Sequence, residues 1–293
     1  MRPIAADDPV GASVVVRRED RRLLVFGGFR QPGEPVYAAA ARQLDQQAGL
    51  PDVEIWPVDL SGSWAVVAAD VTAHDTVAHG GEDWLTAEEA ASRIRPAEVS
   101  ARIRSVAAIP RARIGFRPMS RDDFPDVVRW QAEPHVAKWW SHEAPDVAGA
   151  ERHYGPALDG TDPTRMWVVE VDDRAVGMLQ DYRIGDHPDY ALLTAQPDAI
   201  GFDYLIGEPA LTGRGLGSRI LAGYLTRVVH PHYPAATTYF AAPDHRNVAS
   251  LRALEKIGFR QGLWFDEPQP DGRVDTVVGC TLDVADVLGS PAR

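Results

Sequence analysis

The sequence predicts a mixed α/β protein with mixed sheets, divided into two domains at residues 1–110 and 111–293. A length of 293 residues fits two domains. In the first, two strand-like runs within residues 12–26 form a predicted hairpin that turns at Glu19-Asp20. In the second, the strand-like run Ile200–Ile206 leads through a glycine-rich turn into an apolar helical pattern. A short segment with one proline and two arginines, residues 107–113, marks the boundary.

The formal net charge indicates which kinds of partner the protein can bind. A formal net charge of −12 argues against nucleic acid or an anionic membrane and is compatible with a cationic small-molecule substrate. No apolar run reaches membrane-spanning length and no leader opens the chain, so we expect a cytoplasmic protein. Cys280 is the single cysteine, which excludes an intramolecular disulfide; in its strand-like run we expect a buried thiol. A homodimer is compatible with the sequence.

The first domain carries a spaced motif after its hairpin. Gly28 is followed after five residues by Glu34, and after seven more by Arg42, which opens the segment RQLDQQAGL. This resembles the Nudix box, and every spacing of the box is kept. The resemblance covers about residues 10–107 and implies a Nudix-like α/β/α domain.

The carboxylates that bind metal in the Nudix box are missing here. Its three glutamates are replaced by Gln43, Gln46 and Gln47. Positions i, i+3 and i+4 share one helical face, where carboxylates would hold Mg²⁺. Glutamine is neutral, so we expect neither a metal nor pyrophosphohydrolase activity. Glu34 and Arg42 remain and could form a structural ion pair.

The glycine-rich turn of the second domain predicts a phosphate site. Gly213, Gly215 and Gly217 stand at alternate positions before the helical pattern. Such a turn exposes backbone N–H groups at the positive end of a helix dipole. A tight structural connection alone would also explain it.

The turn resembles the coenzyme A loop of the GNAT acyltransferases, Arg/Gln-x-x-Gly-x-Gly/Ala, with Thr212 in place of the usual first residue. The elements that follow the turn also occur in the order typical of this family. They are a strand near residues 237–242, Asn247, a helix over residues 250–259 and a closing Gly258-Phe259. The resemblance implies a GNAT fold with acetyl-CoA as co-substrate and no metal. The implied acetyl-CoA contacts are Leu205, Ile206, Thr212, Gly213, Arg214, Gly215, Leu216, Gly217, Ser218, Asn247 and Ser250.

Asp203 is the candidate catalytic residue. The alternation along its strand leaves open whether it faces solvent or the site. The aminoglycoside 6′-N-acetyltransferases carry an acid in a similar Gly-x-Asp-x-Leu context, here residues 201–205. That resemblance implies that Asp203 binds the substrate ammonium and passes its proton through water.

This sequence also resembles the aminoglycoside 6′-N-acetyltransferases at PHVAKWW, residues 134–140, and at Gln180-x-Tyr182. The implied substrate contacts are Trp139, Trp140, Gln180, Tyr182, Asp203 and Asp275. Asp181, between Gln180 and Tyr182, should point away from their face of the strand. We nevertheless count it among the acids near the predicted pocket, which are Asp181, Asp186, Asp189, Asp203, Asp266 and Asp275. His135 is better explained by capping or packing than by catalysis.

Two positions depart from the family pattern. A tyrosine that often protonates the leaving thiolate is Leu254 here, which leaves water, Ser250 or Tyr239 as the expected donor. An acid that some aminoglycoside enzymes carry five residues before the asparagine is Ala242. The second departure concerns the substrate and leaves the reaction class unchanged.

The sequence therefore predicts an N-acetyltransferase that acts on an aminoglycoside-like primary amine, in resistance or in antibiotic biosynthesis. One alternative within the same chemistry is a siderophore-type lysine or hydroxylamine acyltransferase. An alternative of another class is a non-enzymatic metabolite sensor, which the three glutamines and Leu254 would suit.

Overall fold

The computed structural model describes residues 9–72, 75, 84–94, 97–140, 145–269 and 272–289. Its strands form one sheet of four and one of seven, and both sheets mix parallel and antiparallel pairs. The mixed α/β class predicted from the sequence is therefore confirmed. Within the described residues no helix is long and apolar enough to cross a membrane.

The four-stranded sheet comes from the N-terminal part of the chain. Its strands are β1 (Gly11–Arg17), β2 (Leu23–Phe29), β3 (Ile55–Asp59) and β4 (Trp64–Asp70), in the order β2-β1-β4-β3. The predicted hairpin is confirmed, because β1 and β2 pair antiparallel on either side of the predicted turn. The helices are α1 (Val36–Ala48), α2 (Ala87–Arg93) and α3 (Ala97–Val106).

The three glutamines lie on α1, next to an ion pair. Arg42 donates to both carboxylate oxygens of Glu34, at 2.7 and 2.8 Å, which confirms the ion pair. Gln43 is buried and hydrogen-bonds Gln47, which also donates to the carbonyl oxygen of Gly27 at 3.4 Å. These side chains hold α1 against β2.

The seven-stranded sheet has the order β10-β11-β9-β8-β7-β6-β5. Its strands are β5 (Ile114–Pro118), β6 (Arg165–Val171), β7 (Arg174–Arg183), β8 (Ile200–Ile206), β9 (Thr238–Ala241), β10 (Arg260–Pro268) and β11 (Val274–Asp283). The helices around it are α4 (Phe124–Ala132), α5 (Pro134–Ala137), α6 (Val147–Leu158), α7 (Pro188–Thr194), α8 (Leu216–Tyr224), α9 (His230–His232), α10 (Val248–Lys256) and α11 (Val284–Val287). A π-helical turn joins α8 to α9.

Strands β8 and β9 diverge soon after they meet. They are parallel, and their register contains only two pairs, Ile200 with Tyr239 and Gly201 with Phe240. On its other side β8 pairs with β7 over its whole length. Beyond these pairs the two strands separate, which opens a gap between β8 and the N-terminus of α10.

The predicted helix over residues 250–259 is displaced. α10 begins at Val248 because the side chain of Asn247 accepts a hydrogen bond from the Ser250 N–H at 3.2 Å and caps the helix. It ends at Lys256 because Gly258 has φ +99° and turns the chain out of the helix.

One hydrophobic cluster spans the two sheets. A single cluster of buried side chains includes Val14 and Leu44 from the N-terminal part and Phe202 and Leu254 from the C-terminal part. The Leu60 N–H donates to the Lys256 carbonyl oxygen at 2.8 Å across the same boundary. The segment 107–113 therefore connects two bodies that pack together directly.

Candidate functional site

Two adjoining cavities lie where β8 leaves β9. The first, of about 670 Å³, is lined by the segment Thr212–Ser218 and the start of α10, and we call it the loop cavity. The second, of about 410 Å³, lies around Asp203 and is called the acidic cavity. Residues that line both are Trp139, Trp140, Tyr204, Asn247 and Ser250.

The glycine-rich turn forms one wall of the loop cavity. Gly213 and Gly215 have φ of +69° and +81°, a conformation that favours glycine. A Cβ on Gly217 would meet nothing closer than Ile206 Cδ1 at 3.8 Å, so this helical glycine keeps the wall open. Backbone and the N-terminus of α8 thus face the cavity without side chains between them, as close approach of a phosphate requires.

The structure brings together most of the residues expected to contact acetyl-CoA. Those in the wall of the loop cavity are Leu205, Ile206, Thr212, Gly213, Gly215, Gly217, Ser218, Asn247 and Ser250. The other two lie elsewhere. Leu216 is buried in the core, and the exposed Arg214 donates to the Ala210 carbonyl oxygen at 3.4 Å.

The loop cavity has a basic wall that the sequence reasoning missed. It contains Lys138, Arg246, Arg252 and Lys256, and no aspartate or glutamate among the described residues. Arg252 and Lys256 stand four residues apart on α10, a spacing that puts both on one face. That spacing was a usable signal in the sequence.

Asp203 lies in the wall of the acidic cavity, so its strand face is the site face. Its Oδ2 accepts hydrogen bonds from Gln180 Nε2 at 2.9 Å and from the Tyr182 hydroxyl at 3.1 Å. Burial raises the pKa of Tyr182 well above its ordinary value, and nearby Asp203 adds to this. Tyr182 is therefore a neutral donor that orients the carboxylate.

Gly201 explains how Tyr182 reaches Asp203. The two strands pair with Tyr182 opposite Gly201 and Gln180 opposite Asp203. A Cβ at residue 201 would stand 2.6 Å from the Tyr182 ring, so only glycine lets the ring lie across β8. The glycine of the Gly-x-Asp motif is thus a steric requirement of the site.

The acidic cavity has the opposite charge to the loop cavity. Its wall contains Asp203, Asp244, Glu267 and Asp275, and no lysine or arginine among the described residues. Asp244 is bound by Arg246 at 2.6 Å, and that hydrogen bond lowers the pKa of Asp244. All six expected substrate contacts line this cavity: Trp139, Trp140, Gln180, Tyr182, Asp203 and Asp275.

Four acids expected near the pocket do not line it. Asp181 is fully buried on the other face of β7, where it accepts hydrogen bonds from Arg165 at 2.7 Å and from Trp167 at 3.1 Å. This confirms that it points away from Gln180 and Tyr182. Asp186, Asp189 and Asp266 also lie outside both cavity walls; Asp266 accepts a hydrogen bond from Thr276 instead.

A phenol that the sequence reasoning missed stands at the junction of the two cavities. The hydroxyls of Tyr204 and Ser250 are 2.6 Å apart, and both residues line both cavities. Tyr239, by contrast, is fully buried beside His230 and lines neither cavity, so it cannot reach a leaving group there. Leu254 is also fully buried in the core, with no access to the site.

His135 lies in the wall of the loop cavity. Its Nε2 donates to the carbonyl oxygen of Ile206 at 2.8 Å and so ties α5 to the end of β8. This hydrogen bond holds α5 next to β8, and the two residues that follow α5, Trp139 and Trp140, line both cavities.

Comparison with known proteins identifies the family. Residues 120–266, half of the chain, match the family described as the acetyltransferase (GNAT) domain. The chain belongs to this GNAT family of acetyltransferases. It is accordingly an N-acetyltransferase, and residues 1–119 lie outside the region of the family match.

Solved structures show the same fold for this GNAT acetyltransferase. The aminoglycoside acetyltransferase AAC(6′)-Ib in complex with paromomycin and acetyl-CoA is 22% identical, with a TM-score of 0.50, and 58% of our chain and 93% of that chain are covered. An uncharacterised protein from Bacillus halodurans is 19% identical, with a TM-score of 0.51, and 60% and 86% are covered. At these identities the likeness shows the fold alone.

Proposed function

We propose that this GNAT enzyme transfers the acetyl group of acetyl-CoA to a primary amine of a polycationic, aminoglycoside-like substrate. The observation that carries the proposal is the separation of charge across the site. The loop cavity is walled by cations and the acidic cavity by carboxylates, and the two meet at Tyr204 and Ser250. An anionic donor and a cationic acceptor would each find complementary charge and meet at that junction.

The loop cavity suits acetyl-CoA. The turn at residues 213–217 would bind its pyrophosphate through backbone N–H groups and the α8 dipole. The backbone of Leu205 and Ile206, at the part of β8 that has left β9, would pair with the pantetheine and supply a donor to the thioester oxygen. Acetyl-CoA would contribute the activated acetyl group, and these residues would hold and orient it.

Asp203 would receive the amine. A free primary amine is mostly protonated at neutral pH, and a carboxylate binds the ammonium without being basic enough to deprotonate it alone. Gln180 and Tyr182 hold the carboxylate in position. We infer that the ammonium bound by Asp203 loses its proton to water, and that the neutral amine then attacks the thioester.

Tyr204 and Ser250 would protonate the leaving thiolate in place of the tyrosine that Leu254 replaces. They share a hydrogen bond at the junction of the cavities. Burial raises the pKa of Tyr204, so its phenol is neutral and holds a proton to give. A general acid must lie within hydrogen-bond reach of the group that it protonates, and we place the leaving thiolate at this junction.

The acceptor class has support from a known complex. The AAC(6′)-Ib structure contains acetyl-CoA and paromomycin, ligands that the two cavities of this chain would accommodate by charge. Aromatic walls at Trp139 and Trp140 would add contact area for sugar rings or ammonium groups.

We further propose that residues 1–110 form a Nudix-like domain without hydrolase activity, and residues 111–293 the catalytic domain. Gln43, Gln46 and Gln47 offer no charge to Mg²⁺, and two of them hydrogen-bond each other. The intact protein should release no phosphate from a panel of nucleoside diphosphate derivatives with Mg²⁺. Metal-dependent release would overturn this part of the proposal.

An acetyl-CoA thiol-release screen tests the main proposal. The panel should contain aminoglycosides, polyamines and lysine derivatives, each with acetyl-CoA and with a long-chain acyl-CoA. We expect turnover with acetyl-CoA and the polycationic sugars. Preference for a long-chain donor with lysine would favour the siderophore-type alternative, and binding without turnover of any amine would favour a sensor.

A further inference from the structure

A buried ion cluster lies behind the start of α8. Asp70 at the end of β4 binds Arg17 at 2.7 Å, Arg219 of α8 at 3.2 Å and Arg111 at 3.7 Å. The side chains of Arg17, Asp70 and Arg219 are 1%, 14% and 12% exposed. One carboxylate from the N-terminal sheet therefore holds a guanidinium of the helix that begins at the glycine turn.

Trp56 of β3 lies between two of these cations. The guanidinium carbons of Arg17 and Arg219 are 5.5 and 4.8 Å from the centre of its ring. Cation–π contacts of this kind are stronger where water is excluded. The N-terminal sheet thus binds Arg219 through the carboxylate of Asp70 and the indole of Trp56.

The connecting segment touches the glycine turn itself. A Cβ on Gly215 would lie 2.9 Å from Ile109 Cγ1, so Ile109 packs directly behind this residue. Arg17 fixes that segment by donating to the carbonyl oxygens of Val106, at 2.7 Å, and of Ile109. The same arginine therefore binds Asp70 and anchors the support of the turn.

The N-terminal body takes no part in either wall. None of its described residues up to residue 110 lines the loop cavity or the acidic cavity. A wall on the substrate cleft, one role a second domain could have had, is therefore not what these residues form. Their contacts with the C-terminal body include the back of the turn, through Ile109, and Arg219 of α8, through Asp70 and Trp56.

We propose that the N-terminal body positions the acetyl-CoA loop: Asp70, Trp56 and Ile109 fix Arg219 and Gly215 so that the backbone N–H groups of the turn converge on the pyrophosphate. The inference rests on the proposed function, since it takes the loop cavity as the acetyl-CoA site. Preorganised N–H groups lose less entropy on binding an anion than mobile ones do. Asp70, Trp56 and Ile109 act through other residues and are positioning residues.

The full-length protein provides the test. Asp70→Asn and Ile109→Ala should each raise the Kd of acetyl-CoA in calorimetry, and its KM, about fivefold or more. The KM of the amine and kcat should stay within about twofold, because the acidic cavity is untouched. Ile109→Ala removes no charge, so it keeps the proposal testable even if Asp70→Asn fails to fold.

Asp286→Asn is the matched control. Asp286 is also a carboxylate that binds a buried arginine across the two bodies, Arg30 at 2.8 Å, but it lies on α11 and lines neither cavity. It should lower thermal stability without changing the Kd of acetyl-CoA. The inference is wrong if all three variants weaken acetyl-CoA equally, or if Asp70→Asn and Ile109→Ala bind it as the wild type does. A wild type that binds no acetyl-CoA would instead refute the proposed function.

Discussion

At the scale of single residues, Asp203 accepts hydrogen bonds from two neutral side chains. Gln180 and Tyr182 orient it, and Gly201 leaves the space through which Tyr182 reaches it. The carboxylate is therefore held on the site face of β8 by a set of contacts that single substitutions can dissect.

Asp203→Asn should lower kcat by about 10²–10⁴-fold, the range typical of a lost acid–base group. The substitution is isosteric and lies outside the wall of the loop cavity, so the Kd of acetyl-CoA should be unchanged. Steady-state kinetics and calorimetry measure the two effects.

Asp266→Asn is the control for that variant, since Asp266 lies outside both cavity walls. It should retain full activity. If Asp203→Asn weakens acetyl-CoA as much as it slows turnover, Asp203 has a structural role.

Tyr204→Phe should lower kcat about 10²-fold, at the lower end of what general acids contribute, because Ser250 remains as a weaker donor. Adding Ser250→Ala should lower it further. Leu254→Tyr should not restore the rate, since Leu254 is fully buried and a larger ring there costs about 1–3 kcal/mol of stability. A fully active Tyr204→Phe enzyme would exclude the phenol as the proton donor.

Cys280 should be unreactive in the folded protein. It is 1% exposed, and burial raises the pKa of its thiol to about 12, so almost no thiolate forms at neutral pH. A thiol reagent should label one group per chain only after denaturation. Fast labelling of the native protein would show that this strand opens.

At the scale of elements, the site is made by the divergence of β8 from β9 and by the faces that α8 and α10 turn to the gap. The glycine turn and Asp203 were predictable because local patterns carry them: alternate glycines before a helix, and an acid within an apolar strand. The resemblance to the acetyltransferases decided the face of Asp203, which the alternation alone left open.

The Tyr204–Ser250 pair was out of reach of the sequence. Its two residues are separated by 46 positions and meet only because α10 returns to β8. The predicted donor Tyr239 failed for the related reason that β9 buries it beside His230. Local periodicity reports the face of a strand and does not report which distant element covers that face.

The cations of α10 carry a prediction at this scale. The double variant Arg252→Gln, Lys256→Gln should raise the KM of acetyl-CoA by up to about 30-fold, since exposed ion contacts contribute at most ~1 kcal/mol each and ~1.4 kcal/mol is a factor of ten. The effect should shrink at high salt, and kcat should not change.

Arg152→Gln is a control that removes one cation from the exposed surface of α6, outside both cavity walls, and it should have no effect. An unchanged KM in the α10 double variant would mean that the phosphates of acetyl-CoA lie away from this helix.

At the scale of the whole molecule, the two bodies share a hydrophobic cluster but contribute differently to the candidate site. The C-terminal body contributes the walls of both cavities, and the N-terminal body packs against the back of the glycine turn. The sequence predicted two parts and a short connection. It did not predict that the connection would touch the turn, because Ile109 and Gly215 are far apart in the chain and neither belongs to a motif that pairs them.

The most direct test of the central claim is mass spectrometry of paromomycin incubated with acetyl-CoA and the full-length protein, alongside a measurement of released coenzyme A. We expect an acetylated sugar and one coenzyme A thiol for each acetyl group transferred, with both signals almost lost in Asp203→Asn. Acetyl-CoA that binds while paromomycin and every other polycationic amine stays unmodified would contradict it.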